Sequence, residues 1–335
     1  MKFIGITGTN GKTTVTYLIS TILKEAGYKT FISGTLNNRL TTPSPWDLQN
    51  LIQKARNQKT DFFVMEVSSH GIHQDRIKGI LFYAKLLTNI TQDHLDYHKT
   101  FRAYKKVKMD WMKKEPGIKV FPSDYKKIKL PEGQMPLLGD FNELNLKGAV
   151  ALCRALGVDE KVIAKAMKKI KPVPGRFENI PNKKNFKVIV DYAHTPDGLK
   201  NVLSTCTRMR NGSGGKLITV FGCGGDRDRG KRPKMAAVVE KLSDYFIVTS
   251  DNPRTEAPSQ IFADIQKGIR GKKDYEVIED RRHAIEKAIR TAKPHDIVLL
   301  AGKGHETYQI IGKKRIHFDD REEAKKALSK VLKNA

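Results

Sequence analysis

The chain has 335 residues, 39% hydrophobic and 29% charged, a balance that suits folded domains and excludes a disordered tail. At roughly 100–200 residues per domain, this length predicts two domains, each with its own core. The 62 Lys and Arg against 36 Asp and Glu leave a net charge of +26.

That excess is even, with 29 basic to 15 acidic residues in 1–172 and 33 to 21 in 173–335. It reads as a solvated surface favouring acidic small substrates, not as the basic stripe of a nucleic-acid binder. No apolar run approaches the roughly 18 residues of a membrane span, so no membrane partner is expected. The opening MKFIGITGTNGKTT has no signal-peptide pattern. Cys153, Cys206 and Cys223 form no CxxC pair, which argues against a disulfide framework or cysteine-rich zinc site and for a reducing cytoplasm.

In chain order, the sequence predicts a strand at Lys2–Thr7, a glycine turn, and a helix from Lys12 to about Ala26. Strands at Phe62–Val67 and Ala84–Leu87 follow, then helices near Phe101–Lys113, Leu144–Leu156 and Glu160–Ile170. Lys171–Gly175 (KPVPG) is the linker candidate. Beyond it come strands at Phe186–Val190, Leu217–Phe221, Tyr245–Val248 and Ile297–Leu300. A hairpin of Tyr308–Ile311 and Arg315–Phe318 and a helix from about Asp320 to Leu332 complete the series. Alternating strands and helices imply an α/β protein, with helix-flanked parallel sheets in domains 1–172 and 173–335.

Gly5-Ile6-Thr7-Gly8-Thr9-Asn10-Gly11-Lys12-Thr13-Thr14 places GKTT between a strand and a helix. Backbone N–H groups there cradle phosphates, Lys12 reaches the outer ones, and Thr13 is placed to bind Mg²⁺. Ile6 stands where the strict GxxxxGK[ST] spacing has glycine, so the loop is a variant. It predicts nucleoside triphosphate binding. Glu66, in MEVSSHG at a strand's carboxyl end, suits either Mg²⁺ or a local cap. The histidines and aspartates of TNITQDHLDYH (residues 88–98) suit metal binding or turn formation equally. Lys108 reads locally as part of a basic helix face.

GTNGKTT, EVSSHG, TNITQDHLDYH, PVPGRFE, DYAHTPD, FGCGGDRDRGKRP, DNPRTE and AGKGHE occur in this order, from Gly5 to about Lys326. In these motifs the chain resembles the Mur ligase family, specifically the MurE type, which adds the third residue of the peptidoglycan stem peptide. The resemblance implies a central P-loop ATPase domain and a Rossmann-like C-terminal domain that close about KPVPG. It also implies an ATP-dependent amide ligation, in which a carboxylate is phosphorylated to an acyl phosphate and an amine displaces phosphate.

By this resemblance, Gly8, Thr9, Asn10, Gly11, Lys12, Thr13 and Thr14 hold the ATP phosphates. Thr13, Glu66 and His94 serve Mg²⁺, and Lys108 falls on the family's carbamylated lysine, which helps hold a second Mg²⁺. Lys12, Glu66, His94 and Lys108 are the implied catalytic group. Asn142 and Asn145 match the adenine side; Arg176 and Asp191 match the nucleotide contacts of the second domain. His194 stands near that site or serves structure. Thr41, Thr42, Ser68, Gln74 and Arg76 match the grip on the acidic peptide acceptor, with Arg76 suited to a D-glutamate carboxylate. Arg227, Asp251, Asn252, Pro253, Arg254, Gly302 and Glu306 match the pocket for meso-diaminopimelate, Arg254 being the residue that lysine-adding relatives lack.

Two departures stand out. Leu40 replaces the asparagine that usually precedes the Thr-Thr pair, and the P-loop strand begins at Lys2, where typical members first carry a UDP-binding domain. The expectation is therefore a short form, acting on a UDP-linked or UDP-free acceptor or aided by a separate protein. Other Mur-type acceptors stay open: an archaeal-type wall peptide, poly-γ-glutamate or folate polyglutamate. A basic P-loop ATPase with a nucleic-acid partner is the alternative of another class. A cytoplasmic monomer is expected.

Overall fold

The computed structural model describes residues 1–132, 135, 137–210 and 214–333. The chain divides into two compact units, one of Met1–Thr91 with His98–Lys171, the other of Gln92–Tyr97 with Pro172–Ala335.

The first unit is built on β1 (Lys2–Thr7), β2 (Thr30–Ser33), β3 (Phe62–Glu66), β4 (Phe82–Leu87) and β5 (Ile118–Val120), all parallel in the order β2-β3-β1-β4-β5. Alternation along β1 sends Ile4 and Ile6 to one face. There they meet Val15, Leu18 and Ile19 of α1 (Lys12–Glu25). On the other face, Phe63 and Met65 pack with Leu48 and Ile52 of α2 (Pro45–Asn57). This core also takes Trp111 and Met112, which lie beyond the short helices α3 (Ser69–His73) and α4 (Leu95–His98), on α5 (Phe101–Lys113). After α6 (Pro122–Tyr125), α7 (Asp140–Ala155) and α8 (Glu160–Met167) complete the first face.

The second unit orders its main sheet β10-β9-β8-β11-β7-β6. These are β6 (Glu178–Ile180), β7 (Lys187–Asp191), β8 (Leu217–Phe221), β9 (Tyr245–Val248), β10 (Asp274–Val277) and β11 (Ile297–Ala301). Its helices are α9 (Pro196–Met209), α10 (Arg232–Leu242), α11 (Pro258–Gln266), α12 (Arg281–Thr291) and α13 (Asp320–Lys333). Ile285 and Ile289 of α12 and Ala324 and Leu328 of α13 pack on Val188, Val220, Ile247 and Leu300 of the sheet.

The architecture is the expected α/β one, with local corrections. Edge strand β6 runs antiparallel to β7, so the second sheet is not wholly parallel. Helix α7 begins at Asp140, four residues before the predicted start, because Gly139 turns the chain at φ 95°. The hairpin pairs β12 (Tyr308–Ile311) with β13 (Lys314–His317). Lys314 thus belongs to the strand, and Gly312 at φ 58° makes the turn with Lys313. In KPVPG, Gly175 is held fast: a Cβ there would lie 2.0 Å from the backbone nitrogen of His305. Among the described residues, no helix is long and apolar enough to cross a membrane.

Candidate active site

In the first unit, the turn from β1 to α1 gathers the phosphate-loop residues. Gly8 (φ 147°) and Gly11 (φ 85°) take conformations that favour glycine. Added Cβ atoms there would fall 1.8 Å from Thr88 Oγ1 and 2.3 Å from Asn145 Oδ1. Asn145 therefore abuts the loop, and it donates to Asn142 Oδ1 at 3.3 Å. Thr9 Oγ1 lies 2.8 Å from Tyr104 Oη, and Asn10 N–H donates to Asn89 Oδ1 at 3.0 Å. Lys12 Nζ donates to Gly8 O and Thr9 O (3.0 and 2.8 Å). Thr13 and Thr14 are buried behind it.

Lys108 is not on a solvated face: it is 1% exposed, and its Nζ donates to Thr7 Oγ1 and Gly8 O (3.2 and 3.0 Å). The structure brings it to the start of the turn between β1 and α1. Glu66 ends β3 beside β1, paired with Ile6. Its Oε1 accepts Thr35 N–H at 2.8 Å and its Oε2 accepts the Thr35 hydroxyl at 3.0 Å. Gly34 leaves it room, since a Cβ there would lie 2.3 Å from Oε1. A buried carboxylate is a hard oxygen donor of the kind that Mg²⁺ takes. Among the described residues, no group of three or more His, Cys, Asp and Glu forms a metal cage.

The acceptor candidates are linked around Thr42, which is wholly buried. Its hydroxyl donates to Glu66 O at 3.0 Å and accepts Ser68 N–H at 2.8 Å. Ser68 in turn caps α3 through Gly71 N–H at 3.0 Å. Arg76 Nη1 donates to Thr42 O at 2.9 Å and its Nη2 to Gln74 Oε1 at 2.5 Å. Thr41 reaches Thr35 at 3.1 Å between hydroxyls. Leu40 is 43% exposed, so the apolar replacement there lies at the surface.

His94 belongs to the second unit's contacts, its Nε2 3.3 Å from Asp93 Oδ2. Buried Asp93 also receives Lys231 at 3.0 Å. Burial would raise its carboxyl, but Lys231, His94 and His194 hold it well below the usual range. Asp191, last residue of β7, accepts Phe177 and Ala193 N–H, both at 2.7 Å. Burial raises its carboxyl despite Arg176 and these two donors. Arg176 lies over the Tyr192 ring, 4.5 Å from its centre.

The amino-acid candidates converge at the carboxyl ends of β8, β9 and β11. Gly225 N–H donates to Asn252 O at 2.9 Å, and the Asp226 carboxylate takes Thr255 N–H and hydroxyl (3.1 and 3.0 Å). Arg232, 1% exposed at its side chain, clamps Glu256 through two contacts of 2.6 Å. Between Asn252 and Glu256 sits Arg254, at φ 53° and bridged to Ile311 of the hairpin. Pro253 O packs so closely on Gly225 that a Cβ there would lie 1.9 Å away. Burial, then nearby Arg227, pushes the Arg254 guanidinium below its ordinary value. Asp251 faces Gly302, whose added Cβ would lie 2.7 Å from Asp251 Oδ2. Burial raises this carboxyl, but Lys303, Arg281 and Arg254 outweigh it and leave it lowered. Glu306 Oε2 accepts Asn252 Nδ2 at 2.9 Å, and Tyr192 Oη stands 3.4 Å from Oε1.

Sequence reasoning overlooked Thr35, Tyr192 and Lys303. Only AGKGHE hinted at the last, as a lysine between two glycines three residues before Glu306.

Comparison with known proteins settles the family. The Mur ligase middle domain matches residues 6–130, and the Mur ligase, glutamate ligase domain matches residues 175–304. A relative from Clostridium acetobutylicum, UDP-N-acetylmuramoyl-L-alanyl-D-glutamate--2,6-diaminopimelate ligase 1, is 41% identical over 96% of this chain and 77% of its own length. The chain belongs to the Mur ligase family. A Bacillus cereus Mur ligase named for the same reaction is 40% identical, over all of this chain and 79% of its own. The solved structure of a UDP-N-acetylmuramoyl-L-alanyl-D-glutamate--2,6-diaminopimelate ligase superposes with a TM-score of 0.59 at 35% identity, covering 98% of this chain and 78% of that one. A pseudomurein peptide ligase type C from Methanothermus fervidus shares the fold, with a TM-score of 0.68 at 20% identity, over 98% and 79% of the two chains.

Proposed function

We propose that this Mur ligase joins meso-diaminopimelate to the D-glutamate carboxylate of a muramyl peptide at the expense of ATP. The observation carrying this reading is that Arg227, Asp251 and Glu306 all lie near enough to Arg254 to act on its charge. Two cations and two anions suit a substrate whose distal end is itself a zwitterion, with an ammonium and a carboxylate. The identity to ligases named for this reaction supports it.

Lys12 and the loop amides of residues 8–14 hold the triphosphate, and Asn142 and Asn145 serve the adenine side. Arg176 and Asp191, in the second domain of 173–335, are further candidates for nucleotide contact. Arg76, with Thr41, Ser68 and Gln74, orients the acceptor; Thr42 supports them from within. One carboxylate oxygen attacks the γ-phosphorus, ADP leaves, and an acyl phosphate forms. The amine of the incoming amino acid then attacks the carbonyl carbon, phosphate departs, and the amine sheds a proton. Such chemistry is catalysed by positioning and charge neutralisation. Thr13, Glu66, His94 and a carbamylated Lys108 are the residues that would hold Mg²⁺, which supplies charge neutralisation at the phosphates. ATP, the acidic acceptor and the amino acid are the partners. The enzyme acts in the cytoplasm as a monomer.

Phosphate release from ATP tests the reading, with acceptor peptide and diaminopimelate each omitted in turn. Turnover that needs both is the expected result, and Lys12→Ala should abolish it. ATP hydrolysis indifferent to both would overturn the reading.

A further inference from the structure

Lys303 has no part in the chemistry above, yet it is wholly buried beside the amino-acid pocket. Burying an ammonium costs several kcal/mol unless partners compensate. Here they do: Nζ stands 3.1 Å from Glu306 Oε2 and 3.3 Å from Asn252 Oδ1, and lies 5.6 Å from the centre of the Tyr308 ring. Asn252 Oδ1 also accepts Ile310 N–H at 2.9 Å. These two donors fix which way the amide faces, so that Nδ2 is left to donate to Glu306. Glu306 is thus held on Oε2 by Lys303 and Asn252, with Tyr192 near Oε1. Its side chain is 12% exposed, that of Lys303 not at all, so Lys303 backs the carboxylate while Glu306 meets the pocket.

We infer that Lys303 is a positioning residue that fixes the Glu306 carboxylate and the Asn252 amide for the distal ammonium of a diamino acid, and so sets the preference for an amine-bearing side chain. This rests on the diaminopimelate reading of the pocket. Without the lysine, Glu306 gains freedom to swing and Asn252 to flip, and the ordering cost falls on the incoming ligand. A lysine acting merely as a competing cation would have the opposite effect, since its removal would tighten the diamino acid.

The test uses the full chain with ATP and acceptor peptide, measuring kcat and KM for meso-diaminopimelate and for 2-aminopimelate, which lacks the distal amine. If the wild type fails to turn over diaminopimelate, the pocket reading falls, a result separate from those that judge Lys303. In Lys303→Met the preference for diaminopimelate should drop about 10-fold or more through KM, with KM for ATP unchanged. Glu306→Gln should lose the same preference, and adding Lys303→Met to it should change little, because the lysine acts through that carboxylate. Lys303→Gln, which keeps a donor for Asn252 Oδ1, replaces the methionine variant if that does not fold. A preference within about twofold of wild type or above it, or two fully additive substitutions, would overturn the inference.

Discussion

Replacing Arg254 by methionine separates binding from stability in the proposed amino-acid pocket. The backbone is indifferent to the change: φ stays at 53°, Arg254 N–H still donates to Ile310 O at 3.0 Å, and Gly312 N–H still donates to Arg254 O at 2.7 Å. Lost are the Nη1 bonds to Gly225 O (2.9 Å) and Asn252 O (3.3 Å), each worth about 1.5 kcal/mol net for a charged donor, and the attraction to Asp251 and Glu306. Relieved are the guanidinium's burial and its repulsion from Arg227, which already hold it below its ordinary value. With these terms opposed, stability should change by no more than about 1 kcal/mol, or about 2–4 °C in Tm. Binding should not be spared. A charge-assisted carboxylate contact of about 1.5–3 kcal/mol corresponds to a roughly 10–150-fold rise in KM for diaminopimelate. The assay is coupled phosphate release against diaminopimelate at saturating ATP and acceptor, with a thermal melt alongside. An unchanged KM would refute the pocket assignment; a melt lowered by 10 °C or so would make Arg254 a structural residue instead.

Gly34→Ala should drive a methyl into Glu66 Oε1, 2.3 Å from the added Cβ, and a Mg²⁺ titration of turnover should shift to higher concentration; an unmoved titration would remove Glu66 from the metal's reach. Gly175→Ala combines φ 65° with a Cβ 2.0 Å from His305 N, so urea denaturation should report a loss of about 2 kcal/mol or more, and a loss below about 0.5 would contradict the packing. Burial pushes His305 down to about 3 from 6.5, and its Nδ1 has no hydrogen-bond partner among the described residues. On acidification the unfolded chain takes the proton first. Its contribution is therefore full above pH 6.5 and lost as pH falls from there towards 3. His305→Gln should flatten the melting temperature between pH 6.5 and 4, and an unaltered slope would count against this.

What the sequence revealed follows burial. Lys2–Thr7, Leu217–Phe221 and Tyr245–Val248 are apolar runs in sheet interiors, and their predicted limits match the structure. The strands it hid are short or polar edges: Thr30–Ser33, Ile118–Val120, Glu178–Ile180, and Asp274–Val277, which leaves its ends exposed. Helix Pro45–Asn57 went unseen because its face is largely polar. The start signal was nevertheless present, with Ser44 accepting Asp47 N–H at 3.2 Å and Pro45 in the first turn. At the site, order along the chain named the motif residues but not their supports. Thr35 on Glu66, Tyr192 near Glu306 and Lys303 behind Asn252 meet across 31, 114 and 51 residues of sequence. No local pattern encodes such meetings. Lys108 shows the reverse difficulty, since its helix reads as basic surface until packing turns that one lysine inward.

The central claim is the identity of the amide formed. Mass spectrometry of the product made from ATP, UDP-muramyl-L-Ala-D-Glu and meso-diaminopimelate tests it most directly, with phosphate counted in parallel. The account predicts an acceptor heavier by one diaminopimelate residue and one phosphate released per amide. Phosphate without that product, or an acceptor extended by a monocarboxylic diamine such as lysine in preference to diaminopimelate, would contradict it.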